Sequence, residues 1–142
     1  MLAQNEEVLK LIPQRAPMVM LHGLVSCGEK TTESVLKVEA GNIFLERGHL
    51  AAPGLVENIA QTAAARVGYI CQKENIPVPI GYIGVVKNLE VFFLPELGSE
   101  IQTEVTITHQ VFDVTVIQGT ITNKGKIAAK CEMKIFIQQD RK

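Results

Sequence analysis

The chain reads as an α+β protein, a curved antiparallel sheet wrapped around one long central helix. Two observations predict this. The stretch from Pro53 to about Lys73, P-G-L-V-E-N-I-A-Q-T-A-A-A-R-V-G-Y-I-C-Q-K, is apolar nearly all round, and a helix of that kind is a buried one. Everything after residue 79 then alternates or runs apolar in the manner of strands. One sheet around one apolar helix is the economical way to bury that helix. At 142 residues the length suits a single domain with one core, taken as residues 1–142.

The elements follow in order. Glu6 to Leu11 predicts a short amphipathic helix, stopped by Pro13 and Pro17. Met18 to Cys27 is an apolar run with Gly23 inside it, the mark of a strand with a bulge or a close approach. Thr31 to Glu39 sets Ser34, Leu36 and Val38 among polar neighbours and predicts a second strand. A loop over 41–52 leads into the long helix, which Asn75 and the Pro77/Pro79 pair end. The small residues Ala60, Ala63, Ala64, Ala65 and Gly68 would let the sheet curl close around that helix.

Ile80 to Leu94 is apolar at even and odd positions alike, which predicts a strand central in its sheet. Pro95 to Ser99 is a turn. Glu100 to Val111 alternates Ile101, Thr103, Val105 and Ile107 against Gln102, Glu104, Thr106 and Thr108. Phe112 to Thr122 alternates likewise, and Asn123-Lys124-Gly125 makes the next hairpin turn. Lys126 to Gln138 closes the set, with Ile127, Ala129, Cys131, Met133, Ile135 and Ile137 on one face. The sheet's other face and its edges, rich in Val and Ile, call for a partner, so a homodimer or higher homo-oligomer is expected.

Charged residues make up 20% of the chain and nearly balance, with a formal net charge of −1. That leaves no electrostatic case for nucleic acid. Cys27, Cys71 and Cys131 share neither a CxxC nor a zinc-like spacing and fit buried free thiols in a reducing compartment. M-L-A-Q-N-E-E has no apolar run of the signal-peptide kind, and Glu57, Asn58 and Arg66 interrupt the best candidate for a membrane span. A cytoplasmic protein that does not enter a membrane is expected.

One carboxylate stands in the middle of the apolar helix. Glu57 is followed by Gln61 at the i, i+4 spacing that puts both on one stripe. A carboxyl group in low dielectric is costly unless hydrogen-bonded, and such groups are enriched at catalytic sites.

Four segments resemble the hotdog-fold 3-hydroxyacyl-ACP dehydratases of the FabA/FabZ type. Leu11-Ile12-Pro13-Gln14-Arg15-Ala16-Pro17-Met18 resembles the family's opening L-P-H-R-x-P-M/F. Glu57-Asn58-Ile59-Ala60-Gln61 resembles its helix motif E-A-x-A-Q, in which the Glu is catalytic. Val91 to Gly98 resembles its strand and turn, and Asn123 to Ala129 its late hairpin. Together they span nearly the whole chain in the expected order. Two positions depart from the pattern. Gln14 replaces the opening His, and Gly48-His49 keeps only the first half of a G-H-F-P-G run, followed by Leu50-Ala51-Ala52 and a shortened loop to Glu57. That loop is similar to the divergent dehydratases of aryl-polyene and flexirubin-type pigment clusters.

The resemblance implies dehydration of a 3-hydroxyacyl thioester to the trans-2-enoyl thioester, in fatty-acid or polyene-type biosynthesis. The substrate would ride on the phosphopantetheine of an acyl carrier protein or of CoA, in a tunnel at a dimer interface, with no metal or organic cofactor. Backbone N–H groups at the start of the long helix, near Ala52, Pro53 and Gly54, would bind the thioester carbonyl. His49 would take the C2 proton, Glu57 of the partner subunit would protonate the departing hydroxyl, and Gln61 would orient Glu57 or hold a water. Two rivals remain: a hotdog thioesterase acting on acyl-CoA or acyl-ACP, which needs Glu57 but not His49, and a non-catalytic acyl-binding subunit of a heteromeric dehydratase. Among the other candidates, His22 reads as a satisfied core or interface residue and His109 as surface. Arg47, Arg66 and Lys87 read as solvated, or as contacts for an acidic carrier. Gly81 and Gly84 relieve crowding in their strand.

Overall fold

Period-two alternation builds the sheet, and the inward residues of each strand decide where the helix lies. The computed structural model describes residues 1–138, apart from the side chains at positions 80, 82, 137 and 138. The inward facing expected of Ile137 therefore lies outside the described residues. In chain order come β1 (Ala3–Gln4), a 3-10 helix (Asn5–Lys10), β2 (Gly23–Cys27) and β3 (Thr31–Lys37). A small hairpin of β4 (Leu45–Glu46) and β5 (His49–Leu50) precedes α1 (Ala52–Lys73). Then follow β6 (Ile80–Val91), β7 (Glu100–Val111), β8 (Val114–Asn123) and β9 (Lys126–Gln138). Among the described residues the large sheet is antiparallel throughout, in the order β1-β2-β3-β7-β8-β9-β6.

Helix α1 is packed on three sides and borders a cavity on the fourth. Leu55, Ile59 and Ala63 face the sheet and join Leu36, Ile101, Val105, Ile117, Ile121, Cys131 and Met133 in the main core. Each such buried aliphatic side chain contributes about 1.5–3 kcal/mol over leaving it in water. Asn58, Thr62 and Arg66, one turn apart, make a buried polar seam against β3 and β7. Ala65 packs with Val8, Leu11, Ile12, Leu21 and Leu24 in a second cluster under the N-terminal segment. The fourth side, with Glu57, Ala60, Ala64 and Val67, borders a cavity.

Four expectations are corrected here. β6 is an edge strand rather than a central one, with Ile83, Val85, Val86, Leu89 and Val91 exposed. These apolar residues, on both faces, are covered only in part within this chain. The small residues of α1 serve the sheet only in part: Ala63 joins the core, but a methyl at Gly68 would strike the Leu11 backbone, and it is Gly119 on β8 that lets the sheet approach Ile59. The sheet's outer face does not call for a partner, because it carries Gln102, Glu104, Gln118, Thr120 and Lys130. Ile127 leaves the core face, since a register shift between Ile121 and Thr122 puts Ala128 and Ala129 both inside and leaves Ile127 exposed.

Candidate functional site

The helix brings Glu57 to the rim of a cavity of about 260 Å3 lined mainly by apolar groups, among them Leu11, Ala60, Ala63, Ala64, Val67 and Ile83. Its alanines make that room, because larger side chains at 60, 63 and 64 would fill it. Glu57 is half-buried there instead of enclosed. Gln61 Nε2 donates to Glu57 Oε1 at 2.9 Å and to Met18 O at 2.7 Å, while Gln61 Oε1 accepts the Met20 N–H at 2.7 Å. Both amide hydrogens are thereby taken, so Gln61 orients Glu57 and has no N–H left for a water. Glu57 Oε2 has no protein partner among the described residues. Gln14 also lines the cavity.

His49 lies elsewhere in the same chain. It is exposed, on β5, and does not line the cavity that Glu57 lines. Arg47 (φ 52°) and Gly48 (φ 78°) form the tight turn between β4 and β5, a twist that suits a two-residue hairpin and that Gly tolerates freely. β5 is clamped onto the following segment by Leu50 N–H to Pro95 O and Leu97 N–H to Gly48 O, both 2.8 Å. His49 Nδ1 sits 3.1 Å from Arg47 O. A carbonyl only accepts, so that nitrogen carries the hydrogen and Nε2 is left as the basic atom. Beside it, Lys124 at 2.8 Å holds the Glu96 carboxyl below the usual carboxylate range, with a smaller pull from His49.

The start of α1 faces no carboxylate of its own first turn, so the partial positive charge there is uncompensated within the turn. The three backbone positions are unequal. Pro53 has no N–H, and the Gly54 N–H is bonded to Ala51 O at 2.9 Å; Ala52 keeps an N–H without a protein partner among the described residues. Gly54 is required because a methyl would press on Phe44 and Leu50.

The polar seam was not singled out from the sequence. Asn58 Nδ2 donates to Met20 O at 2.8 Å, Thr103 donates to Asn58 Oδ1, and Ser34 and Thr62 hydroxyls meet at 2.7 Å. Arg66 donates to Gly28 O at 2.7 Å, to Thr32 Oγ1 at 3.0 Å and to Glu29 O. It is buried, so it cannot meet a carrier protein, whereas Arg47 and Lys87 are exposed. The i, i+4 spacing of 58, 62 and 66 was the available signal. His22 is satisfied, accepting Lys37 N–H at Nδ1 and facing Glu39 at 3.0 Å, and His109 is on the surface. Gly84 makes room for the Phe136 ring. Among the described residues no group of three or more His, Cys, Asp or Glu is placed to hold a metal ion. No helix among them is long and apolar enough to cross a membrane.

The sequence profile described as ApeP dehydratase matches residues 6–142. The chain belongs to the ApeP-like dehydratase family. This agrees with the hotdog dehydratases that the four motifs resemble and with the aryl-polyene branch to which the shortened loop is similar. No curated protein matches the sequence. Among solved structures, a chain of the dehydratase heterocomplex ApeI:P from Xenorhabdus doucetiae superposes with a TM-score of 0.86 at 17% identity, covering 94% of this chain and 91% of that one. A hypothetical thioesterase with coenzyme A from Streptococcus pneumoniae TIGR4 gives 0.68 at 16%, covering 84% and 90%. The PaaI protein of the Escherichia coli phenylacetic acid degradation operon gives 0.62 at 14%, covering 80% of each chain. At these identities the likeness carries the hotdog fold, which the ApeP-like chain shares with dehydratases and thioesterases alike.

Proposed function

We propose that this ApeP-like chain dehydrates a 3-hydroxyacyl thioester, carried on the phosphopantetheine of an acyl carrier protein, to the trans-2-enoyl thioester in aryl-polyene or fatty-acid-type synthesis. The observation that carries the reading is the carboxyl of Glu57 at an apolar cavity, with Oε1 held by a Gln61 that cannot turn and Oε2 unpaired. The acyl chain lies in the cavity. The thioester carbonyl meets the Ala52 N–H at the positive end of α1, which acidifies the C2 proton. His49 Nε2 takes that proton and Glu57 Oε2 gives one to the departing C3 hydroxyl. Each transfer by a positioned group is worth about 10²–10⁴-fold. The two proton movements need no redox or organic cofactor beyond the carrier arm.

His49 and Glu57 come from different subunits in this reading. The cavity touches β6 near its start, at Gly81 and Ile83. His49 is tied to Pro95–Leu97, just beyond its end. A second subunit paired antiparallel along this apolar edge sets the start of one strand opposite the end of the other. His49 of each subunit is then carried toward Glu57 of the other. The partner is a second copy, in a cytoplasmic homodimer or a larger assembly of such dimers. Exposed Arg47 beside His49 suits the phosphate or the acidic surface of the incoming carrier.

Two other readings have an observation behind them. The likeness to a thioesterase with coenzyme A supports hydrolysis, with Glu57 activating water and His49 idle. The likeness to a heterocomplex supports a subunit that lends its surface to a related catalytic partner. Incubation with a 3-hydroxyacyl carrier protein and with the enoyl form, followed by intact mass, separates the three. Loss or gain of one water, abolished by both Glu57→Gln and His49→Ala, supports the dehydratase. Release of free carrier that depends on Glu57 alone makes it a thioesterase, and unchanged masses leave the non-catalytic subunit.

A further inference from the structure

Gln14 stands where the dehydratases carry histidine, and its side-chain oxygen has no protein partner. Oε1 is buried, yet it accepts no hydrogen bond among the described residues. A buried acceptor without a partner is costly, and native structures keep few of them. The loop that holds it is braced: Arg15 Nη1 donates to Ile12 O at 2.8 Å and to Gln14 O at 2.7 Å. The residue lines the same cavity as Glu57, whose other lining side chains, Leu11, Ala60, Ala64 and Ile83 among them, are apolar and carry no hydrogen-bond donor. Gln61 has none to spare, since both of its amide hydrogens are engaged.

Apart from the Glu57 carboxyl, the lining offers Gln14 no donor, and a ligand can bring one. A saturated acyl chain brings none. A 3-hydroxyacyl chain brings one, on the carbon that Glu57 has to reach. We propose that Gln14 Oε1 accepts the hydrogen bond of the substrate's C3 hydroxyl and selects hydroxylated over saturated acyl thioesters, an inference that rests on the dehydratase reading of this cavity. During the reaction the C3–O bond breaks with its electron pair going to oxygen, which takes the proton from Glu57 Oε2. The C2–H pair becomes the new C2=C3 bond as His49 removes the proton. The hydrogen already on the hydroxyl never transfers. It keeps its bond to Gln14 while the oxygen leaves as water, so the amide holds the leaving group through the step.

The test compares binding of 3-hydroxyhexanoyl and hexanoyl N-acetylcysteamine thioesters by calorimetry, in a Glu57→Gln background that blocks turnover. The hydroxylated ligand is expected to bind about tenfold more tightly, the worth of one neutral hydrogen bond. Adding Gln14→Met, similar in size and without the acceptor, should erase that preference while hexanoyl binding holds. The melting temperature should stay level or rise, because the substitution removes an unpaired buried oxygen. A preference that survives Gln14→Met overturns the proposal. So does a fall in melting temperature with both ligands weakened alike, which would make Gln14 a structural residue. An unsubstituted protein that dehydrates nothing refutes the proposed function separately, because the hydroxyl preference is read without turnover.

Discussion

Gln61 accepts from Met20 N–H and donates to Met18 O and Glu57 Oε1, so its amide has one orientation and leaves the other oxygen of Glu57 without a protein partner among the described residues. Gln61→Leu should leave two backbone groups unpaired at a cost of about 1–3 kcal/mol. It should also lower kcat, by up to about a hundredfold, because a misplaced acid costs rate even when it is chemically intact. Thermal melting and steady-state kinetics read the two effects separately. The thiols make a second residue-scale prediction. Burial pushes Cys131 up to about 11, from 9.0. Its folded pKa is raised, so its contribution to stability is whole below pH 9.0 and is lost as pH rises toward about 11. Urea midpoints across that range should fall less steeply in Cys131→Ala than in the unsubstituted protein. Glu57 and Gln61 were legible in the sequence because their i, i+4 spacing is local. Asn58 was not, because its partners, Met20 and Thr103, lie far away in the chain and come together only when α1 docks.

One side chain of helix α1 holds the turn of the β2–β3 hairpin. Arg66 reaches Gly28 O, Glu29 O and Thr32 Oγ1, while Gly68 lets the Leu11 backbone lie flat on the next turn. Arg66→Met keeps the aliphatic stem and removes the donors. The expected loss is about 1–3 kcal/mol, tempered because water can reach the turn carbonyls. Hydrogen exchange should speed up across residues 27–32 more than in β8, and equal acceleration in both would show that Arg66 holds no particular element. Element order and type were readable from periodicity, and β7 follows the alternation residue by residue as far as Ile107. The position of β6 was not readable. An apolar pattern on both faces records how much surface a strand must cover, not which neighbours cover it, so an edge strand with apolar faces reads like a central one. The β4–β5 hairpin was read as a loop because its strands are two residues each, too short for any period to show.

At the scale of the whole molecule, the exposed edge of β6 and the separation of His49 from the Glu57 cavity make one argument. An uncovered strand bearing Ile83, Val85, Val86, Leu89 and Val91 is a template for another chain. A site divided between subunits needs that chain in order to work. Val86→Lys, which places a charge in the middle of the edge, should shift the assembly toward monomer by light scattering and abolish dehydration with every catalytic side chain still present. The division of the site is tested by mixing. His49→Ala and Glu57→Gln proteins are each inactive alone, because every site in either dimer lacks one group. After subunit exchange, half of the dimers are mixed. Each mixed dimer has one site with both groups intact and one with neither, so about a quarter of the unsubstituted activity should return. If both groups of a site came from one subunit, every subunit would remain defective and no mixing would restore turnover. Failure to recover activity despite proven exchange would therefore move His49 and Glu57 out of a shared site across β6.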